Sequence, residues 1–333
     1  MLKSDYINKI IVQARKLGKT IVLPEGEDER VLEAAHICAE EKVAKIVLLG
    51  DCEEITEYYK NKGWSLDGIQ LVNPAKSEKL GQYAELLYEL RKDKGMTKEK
   101  ADETALNANY FGTLMIKSGE ADGMVSGANH STADTVRPAL QIIKSARKDR
   151  GVSSIFVVVC NGKMFYFSDC AININPTAKE LSDIALQTAE SVLQLGDTPR
   201  VAMLSYSTYG SGKGESVDKV REATRLAKEA LASEFAGKDV LLDGELQVDA
   251  ALDGVVAAKK APDSNVAGHA NTLIFPNIDA GNIGYKLVQR LGGAELYGPM
   301  LQGLNAPIND LSRGCSTEDI VGLVALTVLQ SQK

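Results

Sequence analysis

Short apolar runs alternate with amphipathic stretches along the first half of the chain. The runs that predict strands are Thr20–Leu23, Lys45–Leu49, Ile69–Val72 and 123–125. Between them, apolar residues recur at spacings of three and four, as at Val31, Leu32, Ala35 and Cys38, which is typical of helices packed on one face. Strands and helices in this alternating order predict parallel βαβ units and a layered α/β domain.

The second half opens with a hairpin signal. The apolar runs 154–159 and 164–167 flank Asn161-Gly162, a pair of residues that favours a tight turn between antiparallel strands. Further strands are predicted at 201–206 and 273–275, and helices at 177–195 and 216–232. We predict a loop over 299–314, followed by a buried helix over 317–329 that is apolar on most faces.

Charge and composition exclude several classes of protein. The 333 residues include 38 Lys and Arg against 45 Asp and Glu, a net charge of −7, which argues against nucleic acid as the main partner. The N-terminus lacks the apolar core of a signal peptide, and the longest apolar stretch, 320–329, is shorter than the ~20 residues that span a bilayer. The five cysteines form no C-x-x-C pair, and the three histidines are far apart in the sequence. We therefore expect reduced thiols, no metal site and a cytoplasmic protein.

The segment LSRGCSTED, 311–319, gathers groups that could carry out acyl transfer. Ser316 and Asp319 have the spacing of a capping box at the start of the last helix, and this structural role alone would explain them. Ser312 and Arg313 lie just upstream, where a guanidinium near a helix N-terminus suits an anionic oxygen. Asp319 could also accept a proton, so both interpretations of it stay open.

The segment SGANHSTADTVRPAL, 126–140, reads as a strand, a polar loop and a helix. In this geometry main-chain N–H groups and the hydroxyls of Ser131 and Thr132 can hold a phosphate or another anion. Arg137 follows on the helix, either as part of that site or on a solvated face. Pro138 predicts a helix start or a kink.

Other segments argue against a P-loop for nucleoside triphosphates and against a Rossmann-type dinucleotide site. The loop STYGSGKGES, 207–216, lacks the Ser or Thr that ends a P-loop, because Gly214 follows Lys213. The turn after the first strand is Pro24-Glu25-Gly26-Glu27 instead of a glycine-rich fingerprint, and its acids would repel a pyrophosphate. Arg91, at a helix C-terminus, could simply offset the helix dipole.

Seven segments together resemble the bacterial phosphate acetyltransferase (phosphotransacetylase) family. They are LPEGEDERVLEAA, DGMVSGANHSTADTVRPAL, FSDCAIN, AMLSYSTYGS, GELQVDAAL, NTLIFPNIDAGNIGYKL and GPMLQGLNAPINDLSRGCSTEDIVG. The resemblance implies reversible acetyl transfer between coenzyme A and phosphate, with coenzyme A as a substrate and no prosthetic group or metal. It also implies a homodimer and a fold similar to isocitrate and isopropylmalate dehydrogenases, with a cleft between two α/β domains, 1–148 with 303–333 and 149–302.

The resemblance also assigns residues. Asp319 matches the family's catalytic base, Ser312 a hydroxyl that steadies the acyl oxygen, and Arg313 an arginine of the same centre. The remaining matches are Arg91 and Arg137, linked to coenzyme A or phosphate, and Cys170, a thiol near the site that is not the nucleophile. These matches imply direct attack of the thiolate in a ternary complex. A phosphate butyryltransferase and a non-catalytic acyl-CoA sensing domain are the alternatives.

Overall fold

The structure, a computed structural model, describes residues 5–332. The helices are α1 (Asp5–Ala14), α2 (Glu29–Glu40), α3 (Cys52–Lys62), α4 (Leu80–Arg91), α5 (Lys98–Ala105), α6 (Ala108–Lys117), α7 (Thr132–Pro138), α8 (Ala178–Gln194), α9 (Glu215–Glu234), α10 (Val248–Leu252), α11 (Gly254–Lys260), α12 (Ile278–Gly292) and α13 (Thr317–Gln330). The strands are β1 (Thr20–Leu23), β2 (Lys45–Leu49), β3 (Ile69–Val72), β4 (Gly123–Ser126), β5 (Ser153–Cys160), β6 (Lys163–Ser168), β7 (Arg200–Leu204), β8 (Leu241–Leu246), β9 (Thr272–Ile274), β10 (Glu295–Gln302) and β11 (Ile308–Asp310).

The chain divides into two compact units. The first is Met1–Ala146 with Leu304–Lys333, and the second is Arg147–Gly303. The C-terminal helix therefore belongs to the same unit as the N-terminal strands.

The first unit is built on a parallel sheet in the order β3-β2-β1-β4-β11. The carboxyl ends of β1, β4 and β11 lie side by side, with Ser126 and Asp310 as register partners at the last pair. The loops that follow adjacent parallel strands therefore meet at one edge of this sheet, which is where open α/β sheets place their ligand sites.

Helix α13 packs under that sheet. Residues 320–329 are all buried, as the uniformly apolar sequence predicts, and the helix contacts α1, α2 and β4. None of the helices among residues 5–332 combines the length and apolar character needed to cross a membrane.

The second unit has a mixed sheet in the order β10-β5-β6-β9-β7-β8. Strands β5 and β6 form the predicted antiparallel hairpin, closed by Asn161 and Gly162, with Cys160 opposite Lys163. Strand β10 pairs antiparallel with β5, whereas β6, β9, β7 and β8 run parallel to one another. The mixed α/β class expected from the sequence is confirmed.

The predicted loop over 299–314 is wrong in part, because β10 and β11 fall within it. Pro299 sits where the pairing of β10 with β5 shifts register, between Tyr297 and Met300, so its missing N–H interrupts no regular ladder. In β11 the polar Asn309 is buried, and its amide donates to the hydroxyl of Thr327 at 2.8 Å. A strand whose buried polar residues are satisfied by hydrogen bonds does not appear as an apolar run in the sequence.

Helix α7 ends at Pro138, where the sequence predicts a helix start or a kink, and the chain continues as a π-helical turn, Ala139–Ile143. Proline lacks the N–H of a regular helix and clashes with the preceding turn, which explains the change of helix type here.

Candidate active site

The loop after β4 wraps around a buried carboxylate. Glu25, two residues after β1, is only 1% exposed. Its oxygens accept hydrogen bonds from four consecutive main-chain N–H groups, those of residues 127, 128, 129 and 130, at 3.0, 2.9, 2.8 and 3.0 Å. Such a run of N–H groups forms an anion-binding nest. The sequence predicted these donors for phosphate, and the structure corrects that expectation: they hold Glu25.

Glu25 also holds a histidine. Nδ1 of His130 lies 2.7 Å from Oε1 of Glu25, and the His130 side chain is 30% exposed. A carboxylate that already accepts four N–H bonds can only accept again, so we assign the proton of this contact to Nδ1. The opposite ring nitrogen, Nε2, points away from Glu25.

The loops after β4 and β11 touch at Gly127. This glycine has a φ of +110°, and a Cβ built on it would lie 2.5 Å from Oδ1 of Asp310 and 2.7 Å from the main-chain N of Leu311. Only glycine allows both this backbone conformation and this close approach.

Arg30 ties the same loops together from the first turn of α2. Its Nη1 donates to the carbonyl oxygens of Arg313 and Cys315 at 2.9 and 3.0 Å, and its Nη2 donates to that of Ala128 at 3.0 Å. The guanidinium also forms a bidentate pair with Asp28, at 3.0 and 2.7 Å, and this hydrogen bonding lowers the pKa of Asp28. The planar guanidinium therefore connects the loops after β1, β4 and β11. A lysine could not do this, because its ammonium is a single point charge on a flexible stem.

The segment after β11 presents the predicted catalytic groups. Ser312 and Arg313 are exposed in a turn closed by a hydrogen bond from Cys315 N to Ser312 O, 2.9 Å long. The capping box is confirmed: Ser316 N donates to Asp319 Oδ2 at 2.9 Å, and Asp319 N donates to Ser316 Oγ at 3.2 Å. A hydroxyl, a guanidinium and a carboxylate therefore share one turn and the helix start that follows it.

Cys315 lies buried behind this turn. Burial raises the pKa of its thiol to about 11, so the sulfur is neutral at physiological pH. A nucleophilic role would require the thiolate, and the structure gives no support to one.

Ser131 and Thr132 stand at the start of α7 with their hydroxyls already engaged. Ser131 Oγ donates to Asp134 Oδ2 at 2.7 Å, and Thr132 Oγ1 donates to Asp310 Oδ2 at 2.6 Å. Both residues are exposed at their loop. Their roles as substrate ligands stay predictions.

Arg91 and Arg137 line one cavity of about 540 Å³ in the first unit. Lys94 and Lys100 also line it, as does Tyr110. Burial raises the pKa of Tyr110, and the charges of Arg137 and Arg91 oppose that shift, so both cations act on this phenol. The fold thus brings the two predicted arginines into a positively charged cavity that suits phosphate groups.

Cys170 belongs to the second unit and is fully buried. A Cβ built on Gly281 of α12 would lie 3.1 Å from its sulfur, so the thiol is packed against that helix. Burial raises the pKa of Cys170 well above the ordinary value for a thiol. It is therefore neutral where it lies, and its predicted place near the substrate stays a prediction.

The glycine-rich loop after β7 is organised by another buried carboxylate. Glu245 accepts hydrogen bonds from Ser207 Oγ at 2.8 Å and Gly210 N at 2.9 Å, and it pairs with Arg221 Nε at 3.1 Å. The polar character of this loop is thus explained by contacts inside the second unit.

An exposed turn with hydroxyl, guanidinium and carboxylate groups and a cationic cavity lie in the same α/β unit, and cationic groups of this kind suit anionic ligands. The model of the family described as phosphate acetyl/butaryl transferase matches residues 5–328. The chain is 52% identical to a phosphate acetyltransferase of Thermoanaerobacterium thermosaccharolyticum, over 98% of this chain and 100% of that protein. It is 51% identical to one of Acetivibrio thermocellus, over 98% of each.

Solved structures agree with this result. The EutD phosphotransacetylase from Staphylococcus aureus superposes with a TM-score of 0.91 at 45% identity, covering 98% of each chain. The chain therefore belongs to the phosphate acetyl/butaryl transferase family.

Four residues of the site escaped the sequence analysis. Glu25 was interpreted only as repelling a pyrophosphate, and Arg30, His130 and Asp310 were not singled out. Their one local signal is position: Glu25 and His130 lie in loops after strands, Asp310 ends β11, and Arg30 lies in the first turn of α2. The carboxyl ends of parallel strands converge at such places.

Asp310 is the least satisfied of these groups. It is 1% exposed, and among residues 5–332 its Oδ1 has no hydrogen-bond partner. Burial raises the pKa of Asp310 from 3.8 to about 6, with the Thr132 hydroxyl opposing and the charge of Glu25 adding to the rise. At neutral pH this carboxyl is therefore ionised in a place that disfavours its charge.

We predict that Asp310→Asn stabilises the protein at neutral pH. A pKa raised on folding means that the folded state loses stability as the pH rises from 3.8 to about 6, and the loss persists above that range. The amide removes this penalty and still accepts the bond from Thr132, so the free energy of unfolding should rise by on the order of 1–3 kcal/mol. Urea titrations at about pH 5 and about pH 7.5 should show a larger gain at the higher pH.

Asp51→Asn serves as the control. Asp51 is a partly exposed N-cap whose pKa is lowered by main-chain hydrogen bonds from Glu54 and Glu53, so replacing it should bring no gain at neutral pH. A destabilised Asp310→Asn protein at neutral pH would contradict the prediction.

Proposed function

We propose that this protein is a phosphate acetyltransferase, which converts acetyl-CoA and phosphate reversibly into coenzyme A and acetyl phosphate. The observation that carries the proposal is the turn that presents Ser312 and Arg313 beside the capped helix start at Asp319. Relatives named phosphate acetyltransferase, about half identical over the whole chain, support acetyl as the acyl group.

Asp319 is the proposed base for the thiol of coenzyme A. A thiol with a reference pKa of ~8.5 is mostly protonated at neutral pH, so a carboxylate that accepts its proton increases the reactive thiolate. The sulfur attacks the acetyl carbon, the C–S bond forms and the C–O bond to phosphate breaks. Arg313 and Ser312 stabilise the negative charge that develops on the carbonyl and phosphate oxygens.

The cavity between Arg91 and Arg137 is the proposed site for the phosphates of coenzyme A or for inorganic phosphate. One guanidinium can bind two phosphate oxygens at once. The positive charges around this cavity attract anions locally, although the whole chain carries a net charge of −7. Coenzyme A acts as a substrate, and we expect no prosthetic group or metal. We also propose that the enzyme is cytoplasmic.

We further propose that the enzyme is a homodimer. In α12 the side chains of Ile283, Leu287 and Leu291 follow one another every four residues, and they are 58%, 52% and 82% exposed. An exposed apolar stripe of this kind on a helix marks an interaction surface. A second copy of this helix face is the partner that would cover it.

The purified protein should form acetyl-CoA from coenzyme A and acetyl phosphate, measured by the ultraviolet absorbance of the thioester. We expect kcat/KM for acetyl phosphate to exceed that for butyryl phosphate. A preference for butyryl phosphate would indicate a butyryltransferase. Binding of coenzyme A without turnover would indicate a sensing domain, and either result would overturn the proposal.

Asp319→Asn should lower kcat by ~10²–10⁴, the usual contribution of a positioned base. The amide oxygen can still accept the hydrogen bond from Ser316 N, so the thermal melting temperature should change little. Glu318→Gln removes a carboxylate from the same helix turn and is the matched control, with activity expected near wild type. Full activity of Asp319→Asn would rule out the base role.

Arg91→Gln and Arg137→Gln should raise KM for coenzyme A or phosphate more than they lower kcat. Each loses one charge-assisted contact of ~1.5–3 kcal/mol, which corresponds to roughly 10- to 100-fold in binding. Arg15→Gln, an exposed arginine outside the cavity, should leave both constants unchanged. Unchanged KM values for both substrates in both cavity variants would remove the cavity from the proposed site.

A further inference from the structure

The proposed reaction needs a proton at the phosphate as well as a base at the thiol. When the C–O bond of acetyl phosphate breaks, the leaving oxygen takes the bonding electrons. Without a proton the product would be the strongly basic phosphate trianion. A donor at this position would let phosphate leave as the hydrogen phosphate dianion, so a second titratable group beside Arg313 would be useful.

His130 is the titratable side chain that the fold holds in the neighbouring loop. The Arg30 guanidinium bonds to the carbonyl oxygen of Ala128 at 3.0 Å and to that of Arg313 at 2.9 Å, so these two loops lie within the reach of one side chain. His130 follows Ala128 by two residues and is partly exposed.

Glu25 fixes the orientation of the His130 ring. Glu25 binds both the main-chain N–H of His130, at 3.0 Å, and its Nδ1, at 2.7 Å. Because Glu25 is itself held by three further N–H groups, it cannot turn away from the ring. A buried carboxylate that holds the proton on Nδ1 leaves Nε2 as the nitrogen that gains and loses a proton, which is the logic of the histidine in serine hydrolases.

We propose that His130, oriented by Glu25, donates a proton from Nε2 to the departing phosphate and takes it back in the reverse reaction. This inference rests on the proposed acetyltransferase function. The thiol proton passes to Asp319, the C–S bond forms, the C–O bond breaks, and the phosphate oxygen takes the proton of the imidazolium. Exchange with water then returns Asp319 to its carboxylate and His130 to its imidazolium. The net change moves one proton from thiol to phosphate.

Charged groups from each neighbouring element surround this pair. Glu25 approaches from the loop after β1, Arg30 from α2, Asp134 from α7 and Asp310 from β11. The hydrogen bond of Ser131 lowers the pKa of Asp134, and the charge of a protonated His130 adds to that effect. Asp134 is therefore a carboxylate, so two acidic side chains, Asp134 and Glu25, face the imidazole of His130.

Replacement of His130 tests the proposal. His130→Asn can keep the hydrogen bond to Glu25 through its amide but cannot transfer a proton. We expect kcat to fall by ~10²–10⁴ in both directions, with KM for coenzyme A changed less than threefold. His269→Asn removes an exposed histidine of the second unit and should retain wild-type activity. An activity of His130→Asn above one third of wild type would overturn the proposal.

Chemical rescue separates proton transfer from a structural role. Free imidazole should restore a saturable part of kcat to His130→Ala, and a series of substituted imidazoles should rescue it to a degree that follows their basicity. The same compounds should not rescue Asp319→Asn. A folded His130→Ala protein that no imidazole rescues would show that the histidine only supports its loop. An inactive wild-type enzyme would instead overturn the acetyltransferase function itself.

Discussion

The buried carboxylate of Glu25 organises the loops on which the proposed site depends. A carboxylate with 1% exposure is costly unless its oxygens are satisfied, and Glu25 satisfies them with four main-chain N–H groups and one imidazole. The dependence is mutual, because those N–H groups would otherwise be orphaned in a tight polar loop. The loop after β4 therefore takes one conformation, and His130 is oriented as a consequence.

Arg30 extends this order to the loop after β11. Its guanidinium lies between the main chain at Ala128 and at Arg313, so a displacement of one loop would break bonds to the other. Ser312 and Arg313 are exposed, and residues 5–332 offer their side chains few contacts. Arg30 holds the main chain of this turn, so both side chains stay at the surface where the proposed reaction needs them.

Asp310 is the carboxyl group that this arrangement leaves poorly satisfied. It lies beside the nest, with one oxygen bound by Thr132 and the other without a partner among the residues that the structure describes. An ionised carboxyl in such surroundings lowers stability, and functional sites commonly retain strained or poorly satisfied groups of this kind. The net charge of −7 adds a second constraint, since anionic substrates can be attracted only where cations are concentrated, as around Arg91 and Arg137.

Local patterns in the sequence determined much of the framework. The apolar runs locate β1 to β4, the Asn161-Gly162 turn locates the β5–β6 hairpin, and the spacing of Ser316 and Asp319 locates the start of α13. These features depend on neighbours within a few residues, so the printed order of amino acids is enough to find them. The segments of family resemblance likewise identified the chain and its Ser312–Arg313 turn.

Contacts between distant parts of the chain decided the rest. Strands β10 and β11 carry a proline and buried polar residues, and only their partners β5 and β4 make them strands. From the sequence alone, Arg91 could be explained as a cation that offsets a helix dipole. The fold places it in one cavity with Arg137. The nest around Glu25 joins residues more than 100 positions apart, and Arg30 reaches still further along the chain to Arg313. No periodicity encodes such pairs, because they form only where the carboxyl ends of parallel strands meet in the folded sheet.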